Sequence, residues 1–121
     1  MAELKETGRL LKALGEDNRL RIVSLLQKQS ASVTDLCQIL DSTQSNISKH
    51  LARLRLMGIV MDKREGQYIY YSLNRPTDHV HGDLVNRVIE SLSESETCKR
   101  DLSRLKELKE AGKKDRPRET G

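Results

Sequence analysis

The sequence contains no tryptophan and no phenylalanine, and its only aromatic residues are three tyrosines, Tyr68, Tyr70 and Tyr71. Any core must therefore come from leucine, isoleucine and valine. Of 121 residues only 36% are apolar, so a single domain would have a thin core, marginal alone and favoured by burial against a second copy. Two cysteines, Cys37 and Cys98, are too few for a disulfide scaffold and are expected to be reduced thiols. No run approaches the roughly 18 apolar residues of a membrane helix. Met1 to Lys5 lacks the basic-then-apolar layout of a secretion signal, so a soluble, cytoplasmic protein with no membrane partner is expected. The seven glycines are scattered singly, without a phosphate-cradling loop. No Ser/His/acid or Cys/His nucleophile arrangement stands out, and an enzyme is not expected.

What is abundant is charge, at 33% of residues, with 22 Lys and Arg against 18 Asp and Glu for a net +4. It is unevenly placed. Residues 42–66 carry five basic and two acidic groups, net +3, and residues 104–121 carry seven and four, again net +3. The last stretch, 113–121, has no apolar residue to bury and reads as a disordered basic tail. The middle stretch is different because its charges lie on a periodic pattern.

Leu4, Leu10, Leu11 and Leu14 form one helical stripe, with Gly15 placed for a left-handed cap. Asp17 is a candidate cap for a second helix running through Leu20, Ile22, Val23, Leu25 and Leu26. After a polar break from Gln27 to Ser32, Val33 to Leu40 reads as a third helix. Asp41-Ser42-Thr43 makes a short turn, Thr43 caps, and a fourth helix runs from Gln44 to about Met57, stopping at Gly58. The period then changes to that of strands at Ile59–Lys63 and Gln67–Leu73, joined at Arg64-Glu65-Gly66. Leu84, Val85, Val88, Ile89 and Leu92 mark another helix. Leu102, Leu105 and Leu108 continue a sparser stripe, either in the same helix or in one after a break near 93–97.

Two helices joined by a three-residue turn and followed by a hairpin form a winged helix-turn-helix layout, mainly α with a small β-hairpin. On the fourth helix Ile47, Leu51, Leu54 and Gly58 fall within about 60° of one another and face inward. Opposite them project Ser45, Ser48, Lys49 and Ala52, with Arg53 at the edge and Gln44 on the first turn. Small residues let such a helix sit deep in a major groove. Hydroxyls and the Gln44 amide suit base edges or phosphates, and Lys49 and Arg53 suit phosphates. Thr43 and His50 join this set, and Lys63 and Arg64 at the hairpin tip are placed for an adjacent minor groove or backbone. A protein-binding winged-helix module is the rival reading, but this face carries no aromatic anchor.

Residues 13–22 (Ala-Leu-Gly-Glu-Asp-Asn-Arg-Leu-Arg-Ile), Asp35-Leu36-Cys37, residues 44–55 from Gln44 to Arg55, and residues 63–73 from Lys63 to Leu73 together resemble the ArsR/SmtB family. These are bacterial homodimeric repressors released from operator DNA by metal or metalloid ions. The resemblance spans roughly residues 5–95 in unbroken order. It implies a homodimer joined through the first and post-wing helices, reading an inverted-repeat operator with two copies of the helix that begins at Gln44. The corresponding organisation is a winged helix-turn-helix and dimerisation domain over 1–95, a C-terminal helical extension over 96–112, and the tail.

The sensing residues depart from that family. Arsenic-sensing members carry Cys-Val-Cys-Asp-Leu-Cys in the third helix, where this chain has Ser32-Val33-Thr34-Asp35-Leu36-Cys37 and a single thiol. Zinc-sensing members carry Asp-x-His after the wing, with His and Glu later. Here Asp78-His79-Val80-His81 is followed by Ser91 and Glu94, without the later histidine. Three alternatives stand: Cys37 with Cys98 as a thiol site for As(III) or for oxidation; Asp78, His79 and His81 as ligands of a divalent metal ion; or effector-independent regulation. Two histidines at i, i+2 do not share a helix face, so the second alternative requires a loop or strand there. No ion is expected to be needed for the fold.

Overall fold

The computed structural model describes residues 4–74 and 79–115. Helix α1 (Leu4–Leu14) buries Leu10, Ala13 and Leu14. It does not end in a left-handed glycine, since positive φ occurs among the described residues only at Asp41, Gly58 and Gly66. Gly15 instead permits a close approach: a Cβ there would lie 3.0 Å from the Leu11 carbonyl oxygen. Helix α2 (Asp17–Lys28) is capped by Glu16 rather than Asp17. Glu16 is extended, and its carboxylate accepts the Arg19 backbone N–H at 3.1 Å. Asp17 becomes the first helical residue, where a negative charge still favours the helix N-terminus.

The polar break hides a short strand, β1 (Ala31–Ser32), at the edge of an antiparallel three-stranded sheet of order β1-β3-β2. Ser32 also starts helix α3 (Val33–Leu40) through a reciprocal cap with Asp35: its hydroxyl accepts the Asp35 N–H at 3.1 Å, and the Asp35 carboxylate accepts the Ser32 N–H at 3.2 Å. Helix α4 (Gln44–Leu56) follows, then β2 (Val60–Glu65) and β3 (Tyr68–Leu73). Gly66, at φ 65°, takes a conformation that side chains resist, and a two-residue link, Gly66-Gln67, closes the hairpin. Its base is fastened by Asn74, whose backbone N–H reaches the Ile59 carbonyl at 2.7 Å and whose amide donates to the Gly58 carbonyl at 3.1 Å.

Helices α5 (His79–Ser91) and α6 (Glu96–Asp115) are separate. Ser95 interrupts them, accepting the Cys98 N–H on its hydroxyl at 3.2 Å and so capping α6. The boundary expected at residue 95 is not a boundary in packing. Leu105 of α6 is fully buried in the same core as Leu10, Ile22, Leu36, Ile47 and Leu54, and α6 lies against α2 and α3. Its sparse apolar stripe hid this, because its inner face includes buried Cys98 and Asp101. Arg21 of α2 holds Asp101 through two hydrogen bonds, Nε to Oδ2 at 2.8 Å and Nη2 to Oδ1 at 2.9 Å. Helix α6 also takes in residues 113–115, the first three of the expected disordered tail, and the rest of that tail lies outside the described residues.

Candidate nucleic-acid interface

The turn between α3 and α4 is set by two local devices. Asp41 ends α3 in the left-handed conformation at φ 51°, which a short polar side chain tolerates. Thr43 then caps α4, its hydroxyl accepting the Asn46 N–H at 3.1 Å. Once α4 starts there, its periodicity follows: Ile47, Leu51 and Leu54 are buried, while Gln44, Ser45, Ser48, Lys49, Ala52 and Arg53 are exposed. Thr43 is exposed as well. The result is a ridge with small polar groups toward its N-terminus and cations further along.

His50 departs from this face. Its side chain is only 18% exposed, and its Nδ1 lies 3.2 Å from Nη1 of Arg19. Expected with the DNA-contacting set, it is covered instead by a guanidinium from α2, 31 positions away.

The hairpin also differs from expectation. Lys63 and Arg64 lie within β2 and not at the tip. Successive strand residues point to opposite faces, so they cannot act as one patch. Arg64 shares a face with Val60 and Asp62, and Asp62 forms a 3.4 Å ion pair with Arg55 of α4. Lys63 is on the other face, opposite Tyr70, whose ring lies 5.2 Å from the Lys109 Nζ of α6. Of the two wing cations, Arg64 is therefore on the α4 side of the sheet.

The residues considered for an effector are spread over three helices. Cys37 is half-buried on α3, and burial pushes its thiol above the ordinary range. Cys98 is buried in the first turn of α6. The Arg21 guanidinium has its pKa raised above the ordinary value, first by its hydrogen bond to Asp101, against the opposing effect of burial, with the negative charges of Asp101 and Asp17 adding to it. Arg21 also reaches the Ile39 carbonyl of α3 at 3.4 Å, so it bridges α6 and the helix-turn-helix. Asp78 lies outside the described residues. His79 and His81 are both helical, in α5, so the loop or strand that would bring them together is not formed. His81 is buried against α1, its Nε2 3.1 Å from the Thr7 hydroxyl. Among the described residues no three His, Cys, Asp or Glu side chains converge on a point suited to a metal ion. With one thiol on α3, the donors present do not fit a three-thiolate arsenic site.

Helices α1 and α5 leave apolar side chains in solvent. Leu4 and Leu11 of α1 are 87% and 49% exposed, and Val80 of α5 is 64% exposed. The Thr7–His81 contact joins the two helices at one point. Among the described residues no helix is long and apolar enough to cross a membrane.

Residues 16–62, from the cap of α2 to the second residue of the wing's first strand that follows Val60, match the family described as bacterial regulatory protein, arsR family. The transcriptional repressor PagR of Bacillus anthracis is 43% identical over 75 residues, which is 60% of this chain and 74% of PagR. The arsenical resistance operon repressor of Escherichia coli K12 is 42% identical over 66 residues, 54% of this chain. The chain spans 56% of the length of that arsenical repressor. Among solved structures, reduced HlyU from Vibrio cholerae superimposes with a TM-score of 0.61 at 35% identity, covering 73% of this chain and 85% of HlyU. With its helix-turn-helix and wing in place, the chain belongs to the ArsR family of bacterial regulatory proteins.

Proposed function

We propose that this chain is a cytoplasmic, sequence-specific DNA-binding transcriptional repressor that acts as a homodimer on an inverted repeat. The observation that carries this reading is the exposed face of α4, where Gln44, Ser45 and Ser48 precede Lys49 and Arg53 along one ridge. A helix of that profile enters a major groove with its N-terminal residues near base edges and its cations near phosphates. Thr43 and Arg64 flank the ridge, while Lys63 reaches DNA only from the far face of the sheet and His50 supports α4 from within. The solvent-exposed Leu4, Leu11 and Val80 supply an apolar seam for a second copy through α1 and α5. Release by a thiol-reactive effector acting on Cys37 and Cys98 fits the bridge that Arg21 makes between α6 and α3. Coupling of about 1–3 kcal/mol would weaken operator binding about 5- to 150-fold.

The test is selection of a preferred duplex from a random pool, followed by affinity measurements across salt concentrations. Lys49→Ala and Arg53→Ala should each flatten the salt slope by about one unit per lost phosphate contact. Unchanged slopes in both variants would remove α4 from the interface. For the effector, a Cys37→Ser/Cys98→Ser protein should keep binding DNA and lose its response to arsenite or oxidant. A retained response would exclude both thiols.

A further inference from the structure

The Arg19 guanidinium joins three helices. Its Nε donates to the Ala13 carbonyl, and its Nη2 to the Lys12 carbonyl at 3.3 Å. These are among the last carbonyls of α1, which have no partner within the helix. Its Nη1 lies 3.2 Å from Nδ1 of His50, in the middle of α4. A guanidinium only donates, so in this contact Nδ1 is the acceptor. Glu16 stands beside the joint: its carboxylate accepts the Arg19 backbone N–H at 3.1 Å, and at 3.6 Å from His50 Nδ1 it makes no hydrogen bond to the ring. The end of α1, the start of α2 and the centre of α4 are thus tied through one side chain.

We infer that His50 is a positioning residue that suspends α4 from the end of α1 and so sets the separation of the two recognition helices in the dimer. This rests on the reading above, in which α4 meets DNA and α1 belongs to the dimer seam. Apart from the Arg55–Asp62 ion pair to the wing, the remaining side-chain attachment of α4, through Ile47, Leu51 and Leu54, is apolar and without direction. A hydrogen bond to a planar guanidinium fixes both distance and angle. When α1 is held against a second copy, a displacement of α4 relative to α1 changes the span between the two grooves being read. That span is what the spacing of half-sites reports.

The experiment uses the full chain. The inverted repeat that the wild type selects from a random duplex pool is rebuilt with its half-sites one base pair closer and one base pair further apart. Affinities for the three duplexes are measured by fluorescence anisotropy at one salt concentration, with unfolding midpoint and dimer mass recorded for every variant. His50→Leu, which cannot accept a hydrogen bond, should bind the selected spacing about tenfold more weakly, the scale of one charge-assisted hydrogen bond. It should lose little on the altered spacings, so its preference flattens. His50→Asn, whose amide oxygen takes over the acceptor role, should restore the wild-type preference. Arg19→Lys, which keeps the charge but cannot bridge α1 and His50 together, should behave as His50→Leu and serves where that variant does not fold. A uniform loss on all three duplexes, or a wild-type spacing preference in both His50→Leu and Arg19→Lys, overturns the inference while leaving the DNA-binding reading intact. Failure of the wild type to select any duplex overturns that reading, and this inference with it.

Discussion

The ion pair between Arg21 and Asp101 gives the sharpest test of how α6 is held, because its two ends differ in burial. The pair is bidentate at 2.8 and 2.9 Å, with the Asp101 side chain 5% exposed and the Arg21 side chain 25% exposed. Arg21→Met strands a buried carboxylate in apolar surroundings, and a loss of about 3–5 kcal/mol is expected. Asp101→Ala strands a guanidinium that already touches water and can bend further toward it on its long stem. That loss should be smaller, about 1–3 kcal/mol. The double variant Arg21→Met/Asp101→Leu leaves no orphaned charge, and its loss should fall short of the sum of the single variants by about 1–3 kcal/mol. Urea unfolding at one fixed protomer concentration measures all three, since stability of an oligomer depends on that concentration. If Asp101→Ala costs as much as Arg21→Met, or if the losses add within about 0.5 kcal/mol, then asymmetric burial does not govern this contact.

Other outcomes follow from the same packing. Leu105→Ala should cost about 2–5 kcal/mol in urea unfolding, because Leu105 is fully enclosed; a loss below about 1 kcal/mol, the scale of a surface change, would make α6 an appendage after all. Thr43→Ala removes the cap of α4 and should lower stability by about 1 kcal/mol, and an unchanged unfolding midpoint would count against the cap. In a Cys98→Ser background, alkylation of Cys37 should accelerate as pH rises, with a midpoint above that of the same protein unfolded in urea. The sign follows from burial, which disfavours the thiolate; an equal or lower midpoint would contradict it.

The helix-turn-helix was legible because its signals are local. Thr43, the apolar spacing of Ile47, Leu51 and Leu54, and the glycines at 58 and 66 each act through neighbours a few residues away. Features made by distant partners were not legible. Strand β1 is two residues long and exists because Ala31 and Ser32 pair with Tyr71 and Tyr70, a contact with no trace in periodicity. The inward face of α6 includes Asp101, which reads as solvent-facing until Arg21 is placed beside it. His50 reads as a DNA-contacting residue for the same reason, its partner Arg19 lying in another helix. Cap placement failed on a finer scale: Glu16 and Asp17 are adjacent acids, and backbone conformation rather than side-chain type selects which one caps α2. The divided placement of Lys63 and Arg64 depended on where the hairpin turns, and Gly66-Gln67 shifts that point by two residues from the expected loop.

Ser32 is at once a rung of the sheet opposite Tyr70 and the residue whose hydroxyl begins α3. The β-ribbon and the helix pair therefore share a joint. A chimera that transplants residues 59–74 from a relative onto this scaffold would bring a ribbon whose third rung is foreign to it, and the mismatch would fall on the first turn of α3. Carrying Ala31 and Ser32 along with the graft would keep rung and turn in register. By the same geometry, swinging the ribbon away from the body tugs α3 open at its first turn.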